Sequence, residues 1–143
     1  TELETAAVDA DQQIFVDPPP ADSASFGDYL ADHLPSGSPS PAVDAFAGVG
    51  ALLTERILTP AQQEALLGYL AGLPDVRLLG SGTDRLGRGV LVFAAPTDND
   101  YQSLLMISPD TGRITAIEDI YRGTDRTDIP TPAVAEYVAW ETP

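Results

Sequence analysis

One stretch near the middle of the chain constrains the fold more than any other, because residues 59–95 carry the signals for a helix, a reversal and two strands in succession. The stretch reads TPAQQEALLGYLAGLPDVRLLGSGTDRLGRGVLVFAA. Thr59 is a favourable N-cap, Pro60 occupies the first helical position, where its missing N–H is harmless, and Gln62 completes a capping box. The sequence therefore predicts a sharply defined helix start, and the other elements can be placed around it.

This helix has an equally clear end and a predicted helical neighbour before it. Gly72 is predicted to end it in the left-handed conformation, and Pro74 prevents its continuation. A preceding helix is predicted with Ser40 as N-cap and Pro41 as its first residue. It must stop by Leu58, because the residue before a proline avoids helical backbone angles. Its apolar residues recur at spacings of three and four: Val43, Phe46, Gly50, Leu53 and Ile57.

A series of strands is predicted after the helices. Alternating or continuous apolar runs bounded by turn residues lie at 76–80, 89–95, 101–108, 113–121 and 133–140. The turn Ser108-Pro109-Asp110-Thr111-Gly112 makes the third and fourth strands antiparallel neighbours. Helices followed by a meander predict an α+β fold, with two to three N-terminal helices packed on one face of a four- to five-stranded antiparallel sheet.

Composition divides the chain into two predicted parts. Residues 1–41 are predicted to be an acidic N-terminal arm that contains a short helix and ends in the Pro/Ser-rich linker PSGSPSP. Residues 42–143 are predicted to form the α+β domain.

Within the arm, residues 12–16 are predicted to form a short strand that three consecutive prolines terminate. Ser25 and Asp28 are predicted to form a second capping box. The short helix that follows is predicted to dock through one apolar face, which carries Phe26, Leu30 and Leu34.

The charge balance excludes several classes of partner. The chain has 22 acidic residues against seven basic ones, all arginine, and a net charge of −15. Nucleic acids and anionic membrane surfaces are therefore poor partners, since both attract cationic proteins. Cysteine is absent, which excludes thiol catalysis, disulfides and thiolate metal sites. No run approaches the roughly 20 apolar residues that span a bilayer. Because the chain begins with Thr1 rather than methionine, we expect a processed or shortened form, which is compatible with the removal of a leader or membrane anchor.

The glycine-rich and acidic motifs favour turns over chemistry. Gly82 and Gly87 have phosphate-loop spacing, but Arg88 and Gly89 follow where that loop needs Lys and then Ser or Thr. The same glycines, with Gly80, lack the dinucleotide-binding pattern and are predicted to lie in turns. The tripeptide Asp110-Thr111-Gly112 matches the aspartic-protease motif, and a surface hairpin explains it better.

The remaining candidate residues also have simpler explanations. The loop Asp98-Asn99-Asp100 offers oxygen ligands that calcium accepts, although turn formation accounts for it equally well. His33, the only histidine, is predicted to lie at a helix end. Two acidic pairs, Glu118 with Asp119 and Asp125 with Asp128, have the residue types of a glycosidase but arise by chance in so acidic a chain. Three aromatic residues suit either packing or a binding surface: Tyr121, Tyr137 and Trp140. No catalytic, cofactor-binding or metal-binding residues are predicted.

The order of these elements resembles that of an uncharacterised actinobacterial membrane-protein family. The resemblance covers about residues 42–140 and rests on LAGLPDVRLLG, TDRLGR and SPDTGRI. Members look like single-pass proteins with a domain of this kind outside the membrane, and they are often encoded beside an extracytoplasmic-function sigma factor. The resemblance implies location outside the cytoplasm, attachment through an anchor absent from this chain, and no catalytic residues.

Two functional hypotheses follow. The first is a non-enzymatic extracytoplasmic binding or sensor domain of a membrane-anchored protein, with an unidentified protein or small ligand as its partner. The alternative is a soluble small-ligand carrier or inhibitor-like module that uses an apolar pocket on the sheet. The strands at 89–95 and 101–108 are apolar on both sides. We therefore expect the sheet face away from the helices to be covered by the arm, a partner or a ligand.

Overall fold

A computed structural model describes residues 13–34, 40–98, 100–124 and 133–140 and confirms the predicted α+β class. Three helices precede a five-stranded antiparallel sheet whose strands are ordered as in the sequence. The elements are α1 (Ser23–His33), α2 (Pro41–Glu55), α3 (Pro60–Ala71), β1 (Arg77–Thr83), β2 (Gly89–Ala94), β3 (Tyr101–Ile107), β4 (Ile114–Tyr121) and β5 (Ala133–Ala139). Among the described helices, none combines the length and apolarity needed to cross a membrane.

The capping box of α3 is confirmed, but its end differs from the prediction. Thr59 Oγ1 accepts a hydrogen bond from the Gln62 N–H at 3.2 Å, and Gln62 Oε1 accepts one from the Thr59 N–H at 2.9 Å. Gly72 is not left-handed, because its φ is −82°. Its N–H instead donates to the carbonyls of Gly68 and Tyr69, so a tightened right-handed turn ends the helix ahead of Pro74.

The start of α1 and the end of α2 also correct the sequence analysis. The N-cap of α1 is Asp22, whose Oδ1 accepts the Ser25 N–H at 3.0 Å, so the predicted box of Ser25 with Asp28 does not form. Ser40 caps α2 as predicted. That helix ends at Glu55, so Ile57 leaves its apolar stripe and is 79% exposed.

The main core lies between the helices and one side of the sheet, here called the helix face, which carries Phe93, Leu105 and Ile117. The predicted docking face of α1 is confirmed, since Phe26 and Leu30 are buried in this core. The other side of the sheet, here called the second face, has its own small cluster of Val90, Met106 and Ala116. Each face therefore has a separate apolar cluster, as expected for strands that are apolar on both sides.

The segment before α1 forms no strand over residues 13–16, which contradicts the predicted strand. Its backbone is bound by side chains at the end of α2. The carboxylate of Glu55 accepts the N–H groups of Ile14 and Phe15, both at 2.9 Å, and the guanidinium of Arg56 donates to the carbonyls of Phe15 and Val16. These side-chain partners take the place of a neighbouring strand.

The first hairpin of the sheet is longer than predicted, because β1 continues to Thr83. Gly80 and Gly82 therefore lie within the strand and not in a turn. Gly80 has a φ of +127° and lies at an irregularity in the β1–β2 register. A bulge with this backbone conformation favours glycine, which explains why the strand has a glycine at this position. Gly87, with a φ of +81°, lies in the turn as predicted.

Candidate functional site

A groove of about 560 Å³ runs between α2 and the helix face of strands β3 to β5. One wall is the side of α2 that carries Val43, Ala47 and Ala51, and Ile14 adds to the lining. Gly50 of α2 has no side chain, and a Cβ atom at this position would lie 3.6 Å from Ile117 Cδ1 on β4. The groove has the size and the mainly apolar lining of a small-molecule site.

The opposite wall comes from the last strands of the sheet. Ile117 and Val138 face each other across β4 and β5, and Trp140 follows β5 directly. The Trp140 N–H donates to the Thr115 carbonyl at 2.8 Å, which fixes this residue beyond the formal end of β5. The only tryptophan of the chain therefore lines the groove in a fixed position.

The polar groups of the sheet wall are concentrated where Asp119 of β4 and Glu136 of β5 are direct register partners. Direct partners on antiparallel strands point to the same face, and both residues line the groove. Ser103 of β3 pairs with Asp119 on its other side, and the Ser103 hydroxyl donates to Asp119 Oδ1 at 2.6 Å. Two carboxylates thus share one patch of the sheet wall.

Glu55 brings a third carboxylate to the lining, from the end of α2. Both of its oxygens accept backbone N–H groups, as described above, so its side chain has a fixed position. None of the described residues that line the groove is basic. The site is therefore apolar along its length and negatively charged at its polar groups.

The β1–β2 hairpin covers part of the second face. The sequence had led us to expect the arm, a partner or a ligand there. Arg85 of the hairpin reaches Glu118 of β4, with Nε 2.8 Å from Oε1. Glu118 pairs with Leu104, a neighbour of the Val90, Met106 and Ala116 cluster, and is buried. The groove itself lies on the helix face, where no opening was expected from the sequence.

The structure separates the acidic candidates singled out from sequence. Glu118 and Asp119 are consecutive on β4 and point to opposite faces, so they do not act as a pair. Asp110 lies exposed in the hairpin turn between β3 and β4, where Gly112 is left-handed with a φ of +71°, as the turn interpretation predicts. Asp125 and Asp128 lie outside the described residues.

The other polar candidates occupy structural positions. Asp98 and Tyr101 exchange backbone hydrogen bonds, and Asp100 has a φ of +69°. Asn99 lies outside the described residues. His33 ends α1, as predicted, and its ring stacks on Phe15 with 5.3 Å between centroids. The part of the chain that the structure describes holds no group of three or more residues suited to a metal ion.

The three aromatic candidates do not form one surface. Tyr121 is buried and packs on Tyr101 at a centroid distance of 5.3 Å. Tyr137 is the register partner of Glu118 and belongs to the second face, where it is half exposed. Of the three, Trp140 alone lines the groove. Packing therefore explains Tyr121, and a binding surface suits Trp140.

A second cavity of about 320 Å³ lies beside the N-terminus of α2 and has a structural explanation. Asp75 lines it, and Asp75 Oδ2 accepts hydrogen bonds from the Ser40 hydroxyl and the Ala42 N–H. Burial raises the pKa of Asp75, but these hydrogen bonds outweigh that effect and hold the pKa below its ordinary value. The charged carboxylate therefore supports the N-terminus of α2 together with its N-cap, Ser40.

Sequence reasoning missed the groove because its walls meet only in the folded chain. A signal was present in two acidic residues on predicted strands: Asp119, which is followed by Ile120, and Glu136, which lies between Ala135 and Tyr137. Only the register shows that they face each other. Comparison of the chain with protein-family models, with curated proteins and with solved structures finds no match.

Proposed function

We propose that this domain is a non-enzymatic binding module that holds a ligand with an apolar body in the groove between α2 and the sheet. The observation that carries the proposal is the groove itself, which is about 560 Å³ in volume and lined mainly by apolar side chains. Ligand sites typically combine such a lining with a few fixed polar groups. Here Ser103, Asp119 and Glu55 supply them in held positions.

The acidic groups of the groove support ligand binding. The N–H groups of Ile14 and Phe15 hold the Glu55 carboxylate, and the Ser103 hydroxyl holds that of Asp119. These acidic groups are thus suited to attract and orient a ligand.

The groove site is expected to bind an uncharged apolar fluorophore, N-phenyl-1-naphthylamine, with one-to-one stoichiometry. Ala47→Phe should weaken this binding by about tenfold or more, because a ring at this groove-lining position fills space that the probe needs. The matched control is Ala61→Phe, which adds the same ring at an exposed position of α3 outside the groove. Probe fluorescence and quenching of Trp140 report binding. Absence of saturable binding, or equal effects of the two substitutions, would contradict the proposal.

We further propose, from the family resemblance, that the module is the extracytoplasmic part of a membrane-anchored sensor. The alternative of a soluble carrier uses the same groove. The two are separated by fractionating cells that produce the full-length protein and treating intact cells with protease. Membrane-bound protein whose domain is cleaved from outside supports the sensor. Soluble protein that is protected inside the cell rules it out and leaves the carrier.

A further inference from the structure

We infer that the ligand of the groove is cationic: a small organic molecule with an apolar body and one ammonium or guanidinium group. This inference rests on the proposed binding function and adds the charge of the ligand. It is carried by three observations: a like-charge pair on the sheet wall, the lack of a basic counterpart among the described lining residues, and the aromatic ring of Trp140 in the same groove.

The like-charge pair is unusual for a sheet. Asp119 and Glu136 stand directly opposite each other on β4 and β5, and such partners have Cβ atoms about 4.5 to 5.5 Å apart. Like charges in this position destabilise the pairing of the strands, whereas opposite charges stabilise it. A ligand cation placed between the two carboxylates would turn this repulsion into two attractions.

The hydrogen bonds leave Asp119 able to receive that cation. Ser103 donates to Asp119 Oδ1, and no described residue donates to Oδ2. Glu136 is exposed at the rim of the groove. Glu55 differs from both, because backbone N–H groups occupy its two oxygens. Glu55 therefore adds to the negative potential, and direct contact with a ligand cation is assigned to Asp119 and Glu136.

No described arginine lines the groove, so none of them neutralises this site directly. The chain contains no lysine. Four arginines donate to partners elsewhere: Arg56 to backbone carbonyls before α1, Arg85 to Glu118, Arg88 to Asp84 and Arg122 to Gln102. The net charge of −15 raises the local concentration of cations further.

The apolar part of the groove decides between a metal ion and an organic cation. A metal ion needs several oxygen ligands, and the described residues provide no group of three suitable side chains. An organic cation needs one or two carboxylates together with apolar contact area, which Val43, Ile117 and Val138 offer. The face of Trp140 can add a cation–π contact.

The test uses three probes that share one apolar body and differ in charge: 4-phenylbutylamine, 4-phenylbutanol and 4-phenylbutyrate. Binding to the full chain is measured by calorimetry and by Trp140 fluorescence at low salt. The amine is expected to bind at least about tenfold more tightly than the alcohol, and the carboxylate more weakly than both. Asp119→Asn and Glu136→Gln should each weaken binding of the amine more than binding of the alcohol and so remove most of the amine's advantage. Glu64→Gln, an exposed change on α3 outside the groove, is the control for net charge.

The outcomes separate the two proposals. Equal binding of amine and alcohol, both blocked by Ala47→Phe, would overturn the cationic ligand and leave the binding function intact. Failure of all three probes and of N-phenyl-1-naphthylamine would overturn both. Should Asp119→Asn disturb folding, Glu136→Gln still decides, because Glu136 is exposed. An amine preference that persists in both variants would also overturn the assignment.

Discussion

Replacing Asp84 with alanine should lower the free energy of unfolding by about 3 to 5 kcal/mol, because it removes the buried partner of a hydrogen-bonded ion pair. The Asp84 side chain is 0% exposed. Its Oδ1 accepts the N–H groups of Leu86 and Arg88 at 3.0 and 2.9 Å, and its Oδ2 accepts Arg88 Nε at 2.6 Å. The substitution leaves two backbone donors and a guanidinium without their acceptor.

The effect extends beyond the hairpin because Arg88 connects three parts of the sheet. Its guanidinium also donates to the carbonyls of Trp140, at 2.7 Å, and Thr115, at 3.1 Å. Without Asp84 to orient it, Arg88 loses the geometry that joins the β1–β2 hairpin to β4 and to the end of β5. We therefore expect weaker packing at Trp140 as well, visible as a change in its fluorescence.

The matched control is Asp110→Ala, which changes the same residue type in the turn between β3 and β4. Asp110 is exposed in its turn, so the expected change is within about 0.5 kcal/mol. Urea denaturation followed by circular dichroism measures both variants. A loss below about 1 kcal/mol for Asp84→Ala, or similar losses for both, would show that the Arg88 network does not carry the stability assigned to it.

Acid provides a second readout of the same network. Burial raises the pKa of Asp84, but the hydrogen bonds from Arg88 and Leu86 and the charge of Arg88 outweigh it and hold the pKa below its ordinary value of 3.8. A lowered carboxyl pKa stabilises the folded state above that ordinary value, and the stabilisation disappears as the pH falls through the folded pKa. The difference in the free energy of unfolding between wild type and Asp84→Ala should therefore shrink below about pH 3.8 and stay constant above about pH 5.

The sequence was sufficient for the fold class because local signals and the tertiary arrangement agree. The capping box of Thr59 and Gln62, the N-cap Ser40 and the left-handed Gly112 act within a few residues of chain. The errors arose where a nearby alternative satisfied the same groups. Asp22 replaced Ser25 as the cap of α1, and right-handed backbone bonds at Gly72 replaced a left-handed cap.

The groove could not be predicted in the same way, since it depends on contacts between residues far apart in sequence. The position of Trp140 depends on hydrogen bonds to Thr115 and from Arg88, which lie 25 or more positions away. The opposition of Asp119 and Glu136 depends on a register that shifts between Asp119 and Ile120. A displacement of one residue would have placed these carboxylates on opposite faces.

Replacing Phe15 with alanine is expected to lower the free energy of unfolding by about 3 to 5 kcal/mol, the usual effect of removing a buried phenylalanine. Phe15 is 0% exposed and belongs to the main core. Its ring stacks on Tyr29 and His33 of α1, with centroid distances of 5.7 and 5.3 Å. Its backbone is held by the end of α2. The substitution therefore opens a cavity where the segment before α1 joins two helices.

The control for Phe15→Ala is Val16→Ala, one residue further along the same segment. Val16 is 64% exposed, so its truncation should change the stability by less than about 0.5 kcal/mol. Chemical denaturation compares the two variants. If Phe15→Ala were as mild as Val16→Ala, the segment before α1 would contribute little to the stability of the core. The expected large loss of stability would instead show that the folded domain includes the segment before α1. It would also link that segment to ligand binding, because the Glu55 carboxylate that holds Ile14 and Phe15 lines the groove.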